Sequence, residues 1–274
     1  MGQFFITILL VFGFWQNGAF AKPKSNTAHC VLADAPPQLV ASIDDYGVFN
    51  LEGGARAKLA DVFFPLDPLS GAFLPETLAQ IKTLVSQRPV YHMPIGPKDR
   101  YQRQPSYMFI VDRTGRVSSL QTILVRNQRA HFMPDPQLKK NFATSCDVVT
   151  LRHELLEIEQ KTYKNNKEST PHQVPVHKAR SQKLWSLEGE FVIVRGSVTE
   201  VRTTKRGVSI NFGDDWKKDF TAYLSPLVSQ SFKDQKKMNS NLVGQRIQLR
   251  GFLDLYYGPS MRIDHLMQME MLSE

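Results

Sequence analysis

The chain has 274 residues, a formal net charge of +8 and two cysteines. Beyond the first residues no stretch stays apolar for the roughly 20 positions a spanning helix needs, which excludes further membrane spans. Two cysteines exclude a four-cysteine zinc site, and the positive balance favours polyanionic partners such as nucleic acid or anionic envelope polymers.

Residues 4–15 form an apolar run too short to cross a bilayer. Polar Gln16, Asn17 and Gly18 follow, then Ala19-Phe20-Ala21, the small-x-small pattern that a signal peptidase cuts. Residues 1–21 therefore read as a signal peptide and place the mature chain in the periplasm or outside the cell. No Lys or Arg precedes the run, so an uncleaved N-terminal anchor is the alternative. Residues 22–274 fit one large or two small domains of roughly 100–200 residues. In an oxidising compartment an isolated cysteine pair forms a disulfide rather than a metal site, so a Cys30–Cys146 bridge is expected.

The elements then run in order. Val48, Phe49 and Leu51 lead through the turn signal Glu52-Gly53-Gly54 into a second strand at Lys58-Leu59-Ala60. Pro65 and Pro68 break the chain. Residues 75–85 predict a helix, with Pro75 at its start and Leu78, Ile81, Leu84 and Val85 on one face. Strands are expected at 90–94 and 107–112, a turn at Thr114-Gly115, an amphipathic run at 120–130 and a helix at 151–163. Residues 164–187, with prolines and many basic residues, read as a linker. A second β-rich unit spans 188–274, with strands at 191–201, 208–212, 220–224, 247–255 and 261–263 and one helix at 226–232. Strands this short suggest a small closed barrel of about five strands. No repeat is visible at residue level.

Residues 39–163 resemble the thermonuclease (staphylococcal nuclease-like) family. The resemblance rests on the order of Ile43-Asp44-Asp45, a Gly-turn strand, Lys58 through Pro65, Asp99-Arg100-Tyr101-Gln102-Arg103, and Leu124-Val125-Arg126 with Ala130. The second unit, with Gly189 to Gly196, Asn211 to Trp216, Asp219-Phe220-Thr221, Leu242-Val243-Gly244, Arg250-Gly251 and Gly258-Pro259, is similar to the barrel fused behind such a domain in a group of exported bacterial proteins. The fold class this implies is mainly β with some α: an OB-type five-stranded barrel with helices, then a second small OB-like β-barrel.

The family hydrolyses phosphodiesters with a bound Ca²⁺, a carboxylate base and two arginines. Such a cation needs several oxygen ligands, and charge building on the phosphoryl oxygens must be neutralised. With Pro65 fixing the register, Phe63 stands where the resemblance requires a metal-binding Asp, and Leu66 where it requires the base; neither offers an oxygen. The first arginine is Lys58, which keeps the charge and loses the planar fork. The other metal carboxylate falls at Tyr46, or at Asp45 after a one-residue slip. Asp61 and Asp67 are the nearby carboxylates available to a displaced metal, with Asp45 and Asp61 the ligands and Arg103 and Lys58 the catalytic cations if the site is active. Arg100, Tyr101 and Arg103 match a segment that grips phosphate, although a solvated basic loop explains them equally.

In the second unit Trp216, Tyr256 and Tyr257 are candidates for base stacking, whereas Phe212 and Phe220 read as core. The seven histidines have no metal-ligand spacing. The sequence thus points to an exported, catalytically degenerate thermonuclease-like protein with no cofactor, binding nucleic acid, another polyanion or an envelope protein. A Ca²⁺-dependent nuclease with a rearranged site and an envelope scaffold are the alternatives.

Overall fold

The computed structural model describes residues 32, 36–112, 114–136, 147–165, 174–205, 207–215, 217–234 and 242–272. The proposed signal segment, Cys30, Cys146 and Trp216 lie outside these residues. No helix among the described residues is long and apolar enough to cross a membrane. The chain is mainly β with some α, as expected.

The first unit contains β1 (Pro37–Gln38), β2 (Val40–Ile43), β3 (Phe49–Leu51), β4 (Arg56–Leu59), β5 (Val62–Phe63), α1 (Pro75–Val85), β6 (Val90–Pro94), β7 (Arg103–Val111), β8 (Val117–Ser119), α2 (Leu120–Arg126), β9 (His131–Phe132) and α3 (Val148–Asn165). Local chemistry sets the helix starts. Pro75 occupies the first turn of α1, where its absent N–H costs nothing, and Ile81 and Val85 bury one helical stripe. The Ser119 hydroxyl accepts the Thr122 amide at 2.9 Å to cap α2. The main sheet runs β1-β6-β7-β4-β3-β2, with β8 on β7; β4 and β7 are parallel and the other pairs antiparallel. Only Leu39 separates β1 from β2, so one extended segment pairs with β6 at one end and β3 at the other.

The second unit contains β10 (Val176–Lys178), a 3-10 turn (Gln182–Ser186), β11 (Phe191–Ser197), β12 (Glu200–Thr204), β13 (Gly207–Asn211), β14 (Thr221–Leu224), α4 (Pro226–Asp234), β15 (Arg246–Leu255), β16 (Pro259–Ile263) and β17 (Met269–Met271). Its sheet runs β10-β11-β15-β16-β14-β13-β12, with β17 on β15. The pairing scheme repeats that of the first unit. An interrupted first strand (β11, then β12) pairs with β15 at one end and β13 at the other, and one parallel pair, β14–β16, sits in the position of β4–β7. Helix α4 precedes β15 as α1 precedes β6.

Residues 176–187, expected as linker, belong to this second unit. Strand β10 adds in parallel to the edge of β11, and Leu184 is fully buried in the second core. Three residues are too few to show a strand period; the free edge of β11 defines them. Helix α3 also runs on past 163 to Asn165.

Phe63 stacks on Phe191 with centroids 4.5 Å apart and meets Phe252 edge-on at 5.4 Å, joining the two units through a small aromatic core. Buried charge crosses the same boundary. Arg250 pairs with Glu159 of α3 and with Glu270 of β17, and Arg152 of α3 lies 3.0 Å from the His265 ring.

Candidate nucleic-acid interface

The segment from Lys58 to Leu66 leaves β4 through Asp61, which holds a left-handed backbone at φ 59°. Asp61 is 2% exposed, and its two oxygens accept the Arg152 Nε at 3.0 Å and Nη2 at 2.9 Å, the Tyr107 hydroxyl at 2.9 Å and the Asp135 amide at 2.7 Å. Burial beside this carboxyl holds the Tyr107 hydroxyl well above the ordinary phenol range, so it remains a donor. Such a set of partners over-determines the strained backbone. Two residues on, Phe63 points into the aromatic contact between the units. Phe64 stacks on Phe73 at 4.4 Å, and Leu66, 44% exposed, bridges to Phe73.

Asp45 sits on an exposed turn, where its carbonyl accepts the Phe73 amide at 2.8 Å. The neighbouring Asp44 carboxylate caps that turn by accepting the Tyr46 and Val48 amides. Asp67 likewise closes its own loop on Leu69 and Ser70. The structure therefore does not bring Asp45 and Asp61 into one ligand set, and no group of three or more His, Cys, Asp or Glu among the described residues is placed to hold a metal. The side chains present do not fit a Ca²⁺ ion: Phe63 and Leu66 have no oxygen, and both Asp61 oxygens serve Arg152.

The basic loop is more organised than its composition suggests. Asp99, to which the sequence pattern assigns no role, shapes it. Its Oδ1 accepts the Tyr101 amide at 2.9 Å and the Arg103 amide at 3.0 Å, while Oδ2 accepts Arg103 Nε at 2.8 Å. Against a push upward from partial burial, these hydrogen bonds hold the Asp99 carboxyl below its ordinary range. Gln102 turns the chain at φ 60°. Arg56, in register with Arg103 across β4 and β7, donates to the Tyr101 carbonyl at 2.9 Å. The half-exposed Tyr101 ring carries the Arg100 guanidinium at 4.7 Å and that of Arg103 at 4.9 Å, both within cation–π range. Lys58 lies two residues along β4 from Arg56, in register with Pro105.

The second unit presents a tyrosine cluster. Tyr256 and Tyr257 are each 59% exposed and meet edge-on at 4.7 Å; Tyr223 lies 6.1 Å from Tyr256. Tyr257 holds φ 60°, a costly backbone for a bulky residue. Tyr223 belongs to a cross-strand row, Arg202–Ser209–Tyr223–Arg262, that traverses β12, β13, β14 and β16 on one face. Its two end arginines are exposed and carry only surface ion pairs, to Glu200 at 3.2 Å and Asp264 at 2.8 Å. Tyr256 and Tyr257 stand out in the sequence by type, but this row does not, because register between distant strands is invisible in the chain. Phe212 and Phe220 are both core.

No family model and no curated protein matches the chain. Among solved structures it is similar to an OBody bound to hen egg-white lysozyme, at 14% identity over 39% of this chain and 100% of that one, with a TM-score of 0.28. A second OBody bound to the same lysozyme matches at 15% identity over 32% of this chain and 87% of that one, TM-score 0.24. A chain described as an aspartyl-tRNA synthetase from Leishmania major Friedlin matches at 10% identity over 40% of this chain and 22% of that one, TM-score 0.26.

Proposed function

We propose that this chain is an exported polyanion-binding protein built from two OB-type barrels, the first a thermonuclease-like unit without its hydrolytic machinery. The barrel reading is supported by counting each interrupted first strand once. The order β1-β6-β7-β4-β3-β2 then returns to its starting strand, as does β11-β15-β16-β14-β13-β12. The degenerate reading is supported by Phe63, which serves the contact between the units, and by Asp61, which serves Arg152.

The observation that carries the binding reading is the row Arg202–Ser209–Tyr223–Arg262 beside exposed Tyr256 and Tyr257. Guanidinium groups follow a phosphate backbone, and phenol rings stack on bases without regard to sequence. The Arg100–Arg103 loop supplies a second contact of the same chemistry. Single-stranded nucleic acid is therefore the polyanion of first choice.

The test is equilibrium binding of a short single-stranded DNA across a salt series. Affinity falls linearly on a log–log plot with a slope of about −0.7 per phosphate contacted. Arg202→Gln with Arg262→Gln flattens that slope, whereas Tyr256→Ala with Tyr257→Ala weakens binding by about 1–3 kcal/mol per stacked base at every salt concentration. No binding at low salt removes the nucleic-acid reading. Cleavage that needs Ca²⁺ and is lost in Arg103→Ala establishes the nuclease alternative instead, and a stoichiometric envelope protein co-purifying without nucleic acid establishes the scaffold.

A further inference from the structure

A cleft of about 700 Å³ opens where β10 and the turn after it meet the end of β11 and the start of β15. Lys178, Arg180, Arg195 and Arg246 line it, all four exposed, and no lining residue is acidic. Lys178 and Arg195 are direct partners across β10 and β11, an arrangement that like charges make unfavourable on adjacent strands. Ser197 and Arg246 are partners across β11 and β15. Glu159 and Glu270 line an adjoining cavity of about 510 Å³ that Arg195 and Arg246 also reach, and there both acids pair with buried Arg250. Among the described residues, Lys178 and Arg246 make no side-chain hydrogen bond or ion pair. Arg180 and Arg195 use Nε on the Phe212 carbonyl and the Gln248 amide oxygen, and their outer nitrogens have no side-chain partner among the described residues.

A further polar group stands at this wall. His177 is 7% exposed and its Nε2 has no hydrogen-bond partner among the described residues. Burial, with Lys183 nearby, holds its pKa below the ordinary imidazole value, so the ring is neutral at neutral pH. The floor is tightly packed: a Cβ on Gly196 would come within 2.6 Å of Ala179 and 2.7 Å of the Phe212 ring.

We propose that this cleft binds a compact oligoanion, the pyrophosphate or phosphate-ester group of a small molecule, through Lys178, Arg180, Arg195 and Arg246. Several convergent cations with no carboxylate select for more than one negative charge, and guanidinium forks match phosphate oxygens in pairs. The volume suits a small molecule. No base-stacking surface is present, because the one aromatic at the cleft, Phe212, is 2% exposed within the core. The site therefore differs in chemistry from the tyrosine row on β14 and β16, and does not depend on that row binding nucleic acid.

The experiment is calorimetric titration of the full chain with sodium pyrophosphate, with sodium sulfate as the generic anion. The His177 ring-nitrogen chemical shifts are followed in parallel. Pyrophosphate is expected to bind at least about tenfold more tightly than sulfate, because its added charge and oxygens engage more guanidinium groups. It is also expected to move the His177 signals. Ser197→Glu, at an exposed strand position, sets a carboxylate opposite Arg246 and lowers pyrophosphate affinity by about tenfold or more. Arg195→Gln with Arg246→Gln does the same, and an unchanged melting curve for either variant certifies its fold. Arg202→Gln with Arg262→Gln leaves pyrophosphate binding within about twofold, since neither side chain lines the cleft and salt screens exposed charges that make no direct contact. No heat and no His177 shift at millimolar pyrophosphate overturns the proposal. So does equal affinity for sulfate, or an equal loss in the Arg202 and Arg262 variant.

Discussion

Replacing Arg250 by Met removes a charge while keeping most of the bulk. In the native chain this side chain is 1% exposed, bridges Glu159 and Glu270, and donates to the Phe132 carbonyl at 3.3 Å. Methionine leaves two buried carboxylates facing each other without their cation, a change that costs about 3–5 kcal/mol. At roughly 2–4 °C per kcal/mol for a protein of this size, melting falls by about 6–20 °C. The pH dependence has a definite sign. Burial pushes the Glu159 carboxyl up, but Arg250 and then His131 outweigh it and hold the folded-state pKa below the ordinary 4.5. Native Glu159 therefore contributes stability above 4.5, and loses it as pH falls from there through the lowered value. Without Arg250, burial dominates and the folded-state pKa lies above 4.5. Glu159 then destabilises at neutral pH and ceases to do so once it is protonated. Urea unfolding followed by circular dichroism should thus show a deficit that is largest near pH 7 and narrows toward pH 4.5. Adding Glu159→Gln and Glu270→Gln to Arg250→Met should recover much of it. A loss under about 1 kcal/mol at pH 7, or a deficit that acidification leaves unchanged, refutes the assignment of this triad as the polar link between the units.

Three further outcomes follow from particular contacts. Phe63→Asp, which places there the residue type the family resemblance calls for, removes two ring pairs and should cost about 2–4 kcal/mol in urea without creating Ca²⁺ binding measurable by calorimetry. Asp99→Asn keeps an oxygen to accept the loop amides but removes the charge paired with Arg103. Single-stranded DNA affinity should then rise by up to about fivefold at low salt, the scale of an exposed ion pair. Tyr107→Phe deletes one donor to buried Asp61 and should destabilise by about 1–2 kcal/mol in thermal melts, with DNA binding unchanged.

Much of the fold was legible because local rules dominate there. Residues 75–85 form the predicted helix, as its proline start and apolar stripe required, and strand 90–94 is likewise as expected. The longer strands of the second unit are expected at 191–201, 208–212, 220–224 and 247–255, and strands lie within each of these ranges or overlap it. Strands such as β5, β9 and β10 are not expected, because two or three residues carry no period and exist only where a partner lies beside them. The duplicated strand order was also hidden, since it resides in pairing and not in residue identity. At the candidate site, Tyr101, Arg103, Tyr256 and Tyr257 were identifiable by type. Asp99 was not, although an aspartate opening a tight basic turn is a signal that could have found it.

The amino-acid chain alone determined the positive charge, the apolar side chains at Phe63 and Leu66, and the helices and longer strands, because each depends on residue identity or on neighbours a few positions away. Tertiary structure decided what those side chains meet. Phe63 finds its partners at Phe191 and Phe252, Asp61 its cation at Arg152 and Glu159 its own at Arg250, the last two pairs each 91 residues apart. Whether a charge on a helix such as α3 meets water or a buried counter-charge depends on which surface folds against it, and that surface is set by long-range packing.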